Sequence, residues 1–422
     1  MSKSMKITSI IIGVIIAVFF AVGTVAVVGT LRSQAITDTG LPRLDVCTGG
    51  VKIVSKEDYV DCTVTLSGAA EEFCFENAEA GIRGRGNTTW KNAPKKPYRI
   101  KFSEKTSIFG EKKNKSWVLL AMYNDFSYVK DRLAFGLADS LGTEDFVPSY
   151  NYVELYLDGV YQGLYLMTDQ VDENSGRTAV KEDFTETDVE VPFLVEMDLY
   201  SYLEGEEDVA WFTVSGSPYT IKYPEEDERY TTAQFDYIKG YIQKVDSLCR
   251  KKGVTVAELS EYIDLDSFID YFIVQETMGQ MEINGKSVYM SKAVGEPLKM
   301  GPVWDFDWSV TGPHTWLDAR DMYKDDCTGL RSTYNWFALL YKNSTEFRAL
   351  LSERWTEVRP LLLAEMDKVE AEWDTVYAAA KKDSCKWQSL RFFYKGFEAC
   401  HEEVFEWCQG RVEWLDGAFL LP

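Results

Sequence analysis

Histidine is almost missing from this sequence: His314 and His401 are the only two among 422 residues. Hydrolytic triads built on imidazole and histidine-rich zinc sites therefore lack their raw material. Chemistry falls instead to carboxylates, lysine, arginine and hydroxyls. Eight cysteines, at positions 47, 62, 74, 249, 327, 385, 400 and 408, form no Cys-x-x-Cys knuckle, which removes a common thiolate metal arrangement. Positive charge is also scarce. Forty-five Lys and Arg stand against 67 Asp and Glu, a formal charge of −22, and such a surface repels nucleic acid and anionic lipid. No internal repeat at a period of roughly 20–50 residues marks a solenoid or propeller.

The chain has one long hydrophobic run. Residues 7–31 are uncharged and rich in Ile, Val, Ala and Phe, and as a helix they reach roughly 37 Å, more than the ~30 Å hydrocarbon core. A signal-peptide apolar region is only about 7–15 residues, so the run reads as a retained anchor. Cleavage after a small-residue stretch at 33–35 is the alternative. Lys3 and Lys6 against Arg32 place residues 1–6 in the cytoplasm and the globular part outside it. Residues 32–48 read as a linker, 49–203 as a strand-rich lobe and 204–422 as a helical lobe. The portion from Ser33 onward carries −25 once Lys3, Lys6 and Arg32 are set aside. Outside the cytoplasm cysteines can pair, and Cys62 and Cys74, symmetric about Gly68-Ala69, are candidates for opposite positions in a hairpin.

Alternating apolar residues predict strands at 51–54, 62–66, 98–102, 117–121, 152–157, 163–167 and 192–197. Asp158-Gly159 predicts a tight hairpin. Residues 127–141 predict a helix with Val129, Leu133, Leu137 and Leu141 on one face and Gly142 as its stop. Beyond 203, a hairpin at 211–222 and a strand pair at 287–291 and 298–304 interrupt helices that fill the rest. The class is α+β.

Three constellations carry chemistry. Arg83-Gly84-Arg85-Gly86-Asn87, followed by Lys96-Pro97-Tyr98-Arg99-Ile100-Lys101-Phe102, joins glycines that let backbone approach a ligand to clustered cations, the pairing that phosphate favours. Its bland counterpart is a glycine turn beside a solvated basic edge strand. Trp304-Asp305-Phe306-Asp307-Trp308 sets two carboxylates between aromatics, costly to desolvate without a cation or donors. Mg²⁺ is typically held by one or two carboxylates with phosphate oxygens. A polar loop, 280–287, brings Glu282 as a candidate general base, with Asn284 or Ser287 near a metal.

These segments, with Asp131-Arg132-Leu133-Ala134-Phe135, Tyr161-Gln162-Gly163-Leu164-Tyr165 and Phe193-Leu194-Val195-Glu196-Met197-Asp198, resemble in order the CotH-like spore-coat kinases, a family of atypical protein kinases. The resemblance spans about residues 80–312 and implies a divergent two-lobed kinase-like fold. That fold binds ATP and Mg²⁺, or Mn²⁺, between a strand-rich and a helical lobe, and moves the γ-phosphoryl group to Ser or Thr of surface, secreted or coat-like proteins. It implies nucleotide contacts for Arg83, Arg85, Lys96, Arg99, Lys101 and Glu196, metal ligation by Asp305, Asp307 and Ser287, and catalytic roles for Glu282 and Asp305. Glu282 stands where the family usually has Asp, and Ser287 where some members have Asn. Phosphoryl transfer needs positioning and charge neutralisation, and no histidine. Two further classes compete: a catalytically inactive kinase-like binding module of the cell envelope, and a carboxylate-pair glycosidase.

Overall fold

A computed structural model describes residues 24, 27–174, 176–178, 180–199, 210–224, 231–310, 312, 327–388 and 395–421. Most of the expected membrane anchor, 7–31, lies outside the described residues. Among the described residues no helix is long and apolar enough to cross a membrane.

Seven strands close into a barrel: β1 (Arg43–Cys47), β2 (Val60–Ser67), β3 (Phe75–Gly84), β4 (Tyr98–Thr106), β5 (Asn114–Leu120), β6 (Asn151–Leu157) and β7 (Val160–Asp169), in the order β1-β2-β3-β4-β5-β7-β6. Closure comes from the parallel pairing of β1 with β6, Leu44 opposite Leu155. Period-two alternation explains the interior. Tyr98, Ile100 and Phe102 of β4 point inward to join Leu44, Val64, Ile82, Trp117 and Leu155, while Arg99 and Lys101 point outward. The Asp158-Gly159 turn forms as expected, with φ of 46° and 78°, joining Leu157 to Val160.

The structure corrects several details of the sequence reading. Chain order begins earlier than residue 49. Residues 27–35 are helical, Ser33 is buried, and β1 lies inside the stretch read as a linker. Residues 51–54 form no strand. The β2–β3 hairpin turns later than its cysteine symmetry suggested, because a short 3-10 turn at Glu71–Phe73 occupies the loop. Cys62 therefore faces Ala80. All eight cysteines are free thiols.

A second sheet follows: β8 (Phe193–Met197), β9 (Trp211–Val214), β10 (Ser217–Tyr223), β11 (Val288–Lys292) and β12 (Lys299–Met300), in the order β12-β11-β8-β10-β9. The back half is thus mixed, and β8, expected in the front lobe, belongs to it. Helices α1 (Thr88–Asn92) and α2 (Lys130–Leu141) branch from the barrel sequence. Helices α3 (Thr232–Arg250), α4 (Val256–Ser260), α5 (Leu265–Thr277), α6 (Trp336–Asn343), α7 (Thr345–Ala371), α8 (Trp373–Trp387) and α9 (Phe397–Phe419) follow.

Two helices tie the barrel to the rest. In α2, ending at Gly142 with φ 71°, Arg132 reaches α7 and its end, bonding Glu365 at 3.0 Å and Glu372 at 2.6 Å. Helix α8 lies on β7, where Asp383 pairs with buried Lys95 at 2.7 Å and accepts the Leu164 N–H at 2.7 Å. Gly163 makes that approach possible. A Cβ there would sit 2.3 Å from the Asp383 carboxylate, on a φ of 142° that side chains resist.

Candidate active site

Between the barrel and the second sheet lies a cleft of about 790 Å³. Its barrel wall is basic. Arg83 on β3 and Arg99 on β4 stand directly opposite each other, an arrangement that like charges disfavour. Arg99 donates to Ser116 Oγ at 3.1 Å, and Arg83 comes no nearer than 3.9 Å to Glu57. The Nε of each guanidinium is buried without a hydrogen-bond partner. Burial, with Arg83 adding to it, pushes the Arg99 pKa down: the wall is short of an anion. Beyond β3, Arg85 lies 5.5 Å over the Trp304 ring. Gly84 lets the chain press onto Trp90, since a Cβ there would lie 2.5 Å from the indole.

Two expected phosphate contacts face elsewhere. Lys96 donates to Trp90 O at 2.6 Å and sits over that indole, so it braces α1. Lys101 is exposed on the barrel exterior and does not line the cleft. Nor is β4 an edge strand, since β3 and β5 flank it.

The opposite wall is acidic and built on turns. After α5, a 3-10 turn (Met281–Asn284) carries Glu282, and the strand expected over 298–304 shortens to β12. Asp305 has φ 65°, so the segment bearing both aspartates is not a pleated strand. Even so, Asp305 and Asp307 both line the cleft, while Phe306 between them is buried. Gln280 fixes the two turns together. Its amide Nε2 donates to Asp305 O at 2.7 Å and its Oε1 accepts the Glu282 N–H at 3.2 Å. Ser287, with φ 53°, donates to Asp305 Oδ2 at 3.2 Å. Glu196 on β8 also lines the cleft, bonded to Lys222 at 2.9 Å, and burial raises its pKa.

Asp131, Asn124 and Lys286 also line this cleft, although the sequence reading gave none of them a role. Asp131, at the start of α2, accepts the Phe306 N–H at 2.8 Å. Asn124 donates to Asp307 at 2.7 Å. Lys286 pairs with Glu282 at 3.0 Å. Burial and then the Asp305 charge push both Asp131 and Glu282 up to about 7, and raise Asp307 well above the carboxylate range. Burial and the neighbouring Asp305 charge thus disfavour the ionised form of all three. The sequence signal for Asp131 was a carboxylate inside the helix expected over 127–141, opening the Asp131-Arg132-Leu133-Ala134-Phe135 segment.

The family model for CotH kinase protein matches residues 82–415. The chain belongs to the CotH kinase family. Comparison with curated proteins finds no match. The CotH kinase match begins inside β3 and runs into α9, so it takes in both cleft walls. It also includes the C-terminal helices, which the sequence motifs, ending near residue 312, did not reach.

Proposed function

We propose that this CotH kinase family member is a protein kinase that transfers the γ-phosphoryl group of ATP to Ser or Thr hydroxyls, with the barrel and the mixed back half as its two lobes. The observation that carries the reading is the polarity of the cleft. Opposed guanidiniums with unpartnered donors face carboxylates that burial drives toward protonation. A polyphosphate with its cation satisfies both walls at once.

In this reading Arg83, Arg85 and Arg99 receive the phosphates. Asp305 and Asp307 hold Mg²⁺ or Mn²⁺, with the Ser287 hydroxyl orienting Asp305. The metal supplies charge neutralisation on the transferring group. Among the described residues no three Asp, Glu, His or Cys side chains form a ready-made metal cage. Mg²⁺ typically takes only one or two carboxylates and completes its shell with phosphate and water. Glu282, raised to about 7, is suited to accept the acceptor hydroxyl proton near neutral pH. We place the domain outside the cytoplasm on an anchor at residues 7–31, with acceptors among surface, secreted or coat-like proteins.

The Glu282–Lys286 ion pair favours a second reading, an inactive kinase-like envelope module, because it occupies the base. Transfer of labelled γ-phosphate by the full chain with Mg²⁺ or Mn²⁺ separates the two. Label that disappears in Asp305→Ala and Glu282→Gln supports the kinase. Metal-dependent ATP binding without label supports the inactive module.

A further inference from the structure

The turn that carries Glu282 is held by residues that do not line the cleft. Asn284, two residues on, is a junction between that turn and the stretch 331–335. Its Oδ1 accepts the Thr333 N–H at 3.1 Å and the Asn335 Nδ2 at 3.3 Å, and its Nδ2 donates to Arg331 O at 2.9 Å. Asn335 donates also to Ile283 O at 3.3 Å and caps α6 through the Phe337 and Ala338 N–H groups. A four-residue 3-10 turn has few bonds of its own, so these contacts set its orientation.

The stretch is anchored in turn by a buried ion pair. Glu276, near the end of α5, accepts the Arg331 and Ser332 N–H groups at 2.9 and 2.8 Å. It pairs with Arg411 of α9 at 2.6 Å, both side chains being wholly buried. Arg411 donates further to Cys327 O at 2.9 Å and Gly329 O at 2.7 Å. Desolvation makes such a pair a poor source of stability, and burial pushes the Arg411 pKa down to about 10. What the pair does supply is geometry, since Glu276 accepts from and Arg411 donates to the backbone between residues 327 and 332.

We infer that Asn284 is a positioning residue for Glu282: it braces the Glu282 turn against the 331–335 stretch, which the Glu276–Arg411 pair locks to the C-terminal helix. Asn284 itself does not line the cleft. The inference rests on the reading of Glu282 as the base. A displacement of about an ångström at a reacting group costs roughly 100-fold in rate, so loosening this brace lowers turnover and leaves nucleotide binding alone.

The test uses the full chain, Mg²⁺-ATP and dephosphorylated casein or water as acceptor. Asn284→Ala is expected to lower kcat by about 10- to 100-fold with the KM for ATP within about twofold of the parent. Asn284→Asp, which keeps the oxygen that receives Thr333 but loses the donor to Arg331 O, is expected to recover only part of the loss. An unchanged kcat in Asn284→Ala, while Glu282→Gln abolishes transfer, overturns the positioning role and spares the kinase reading. A loss that follows the melted fraction, with the folded protein keeping the parental kcat, also overturns it, marking a structural residue. Full activity in Glu282→Gln removes the base, and the inference falls with it.

Discussion

The two walls of the cleft are made differently. The basic wall stands on paired strands of a closed barrel, where Arg83 and Arg99 are held by register and by a full interior beneath them. The acidic wall stands on turns, where Ser287 and Asp305 take positive φ and Gln280 and Asn284 hold the backbone by side-chain amides. Strand-built cations make a fixed receptor for charge. The turn-built carboxylates Glu282 and Asp307 are raised by burial and by the Asp305 charge, and positive φ at such positions is characteristic of functional sites.

The largest effect expected is on the acidic side. Asp305→Ala should cut phosphoryl transfer by roughly 10²–10³-fold while the basic wall still binds ATP. Equal loss of transfer and of binding, read by titration calorimetry, would erase the division of labour between the walls. Next comes the barrel face. Arg99→Ala should weaken ATP binding by about 10- to 100-fold, as loss of a charge-assisted hydrogen bond does, whereas Lys101→Ala, on the exterior, should change it less than about twofold. If the two variants matched, the cleft would not be the nucleotide site.

Gly84→Ala sharpens the comparison from below. The added methyl meets the Trp90 indole, and overpacking of this kind costs about 1–3 kcal/mol, read as a lower midpoint in denaturant. A control outside both walls is His401, stacked on Trp373 at 3.7 Å. Burial lowers its pKa to about 4 from 6.5. As pH falls below 6.5 the unfolded chain takes up this proton first, so the His401 contribution to stability is intact above that pH and is lost toward pH 4. Relative to His401→Phe, which keeps a ring and cannot titrate, the parent should lose roughly 2 kcal/mol between pH 7 and pH 5. At neutral pH the two should show no such titration difference.

Much of the barrel wall was legible because strands advertise themselves. Period two put Tyr98, Ile100 and Phe102 inside and Arg99 outside, and Asp158-Gly159 named its hairpin. The same alternation misled at Lys101, since sharing a face with Arg99 does not place a residue at the cleft end of the strand. Barrel closure was hidden. It depends on β1 pairing with β6 across more than a hundred residues, and no local pattern encodes that contact. On the acidic wall the residue types pointed to Glu282, Asp305 and Asp307, which all line the cleft, but the strand expected over 298–304 shortens to β12 and Asp305 turns at positive φ. Asp131 and Asn124 were not assigned because their roles exist only once α2 is laid beside residues 305–307. The cysteine symmetry about Gly68-Ala69 failed because an extra 3-10 turn moved the hairpin's centre.

The most direct test of a two-walled, metal-completed cleft is titration of ATP into the full chain with and without Mg²⁺, in the parent and in Asp305→Ala. The account predicts that Mg²⁺ tightens ATP binding at least about tenfold in the parent, the worth of one charge-assisted contact, and does so far less in Asp305→Ala. ATP binding that ignores both the metal and the substitution would contradict it.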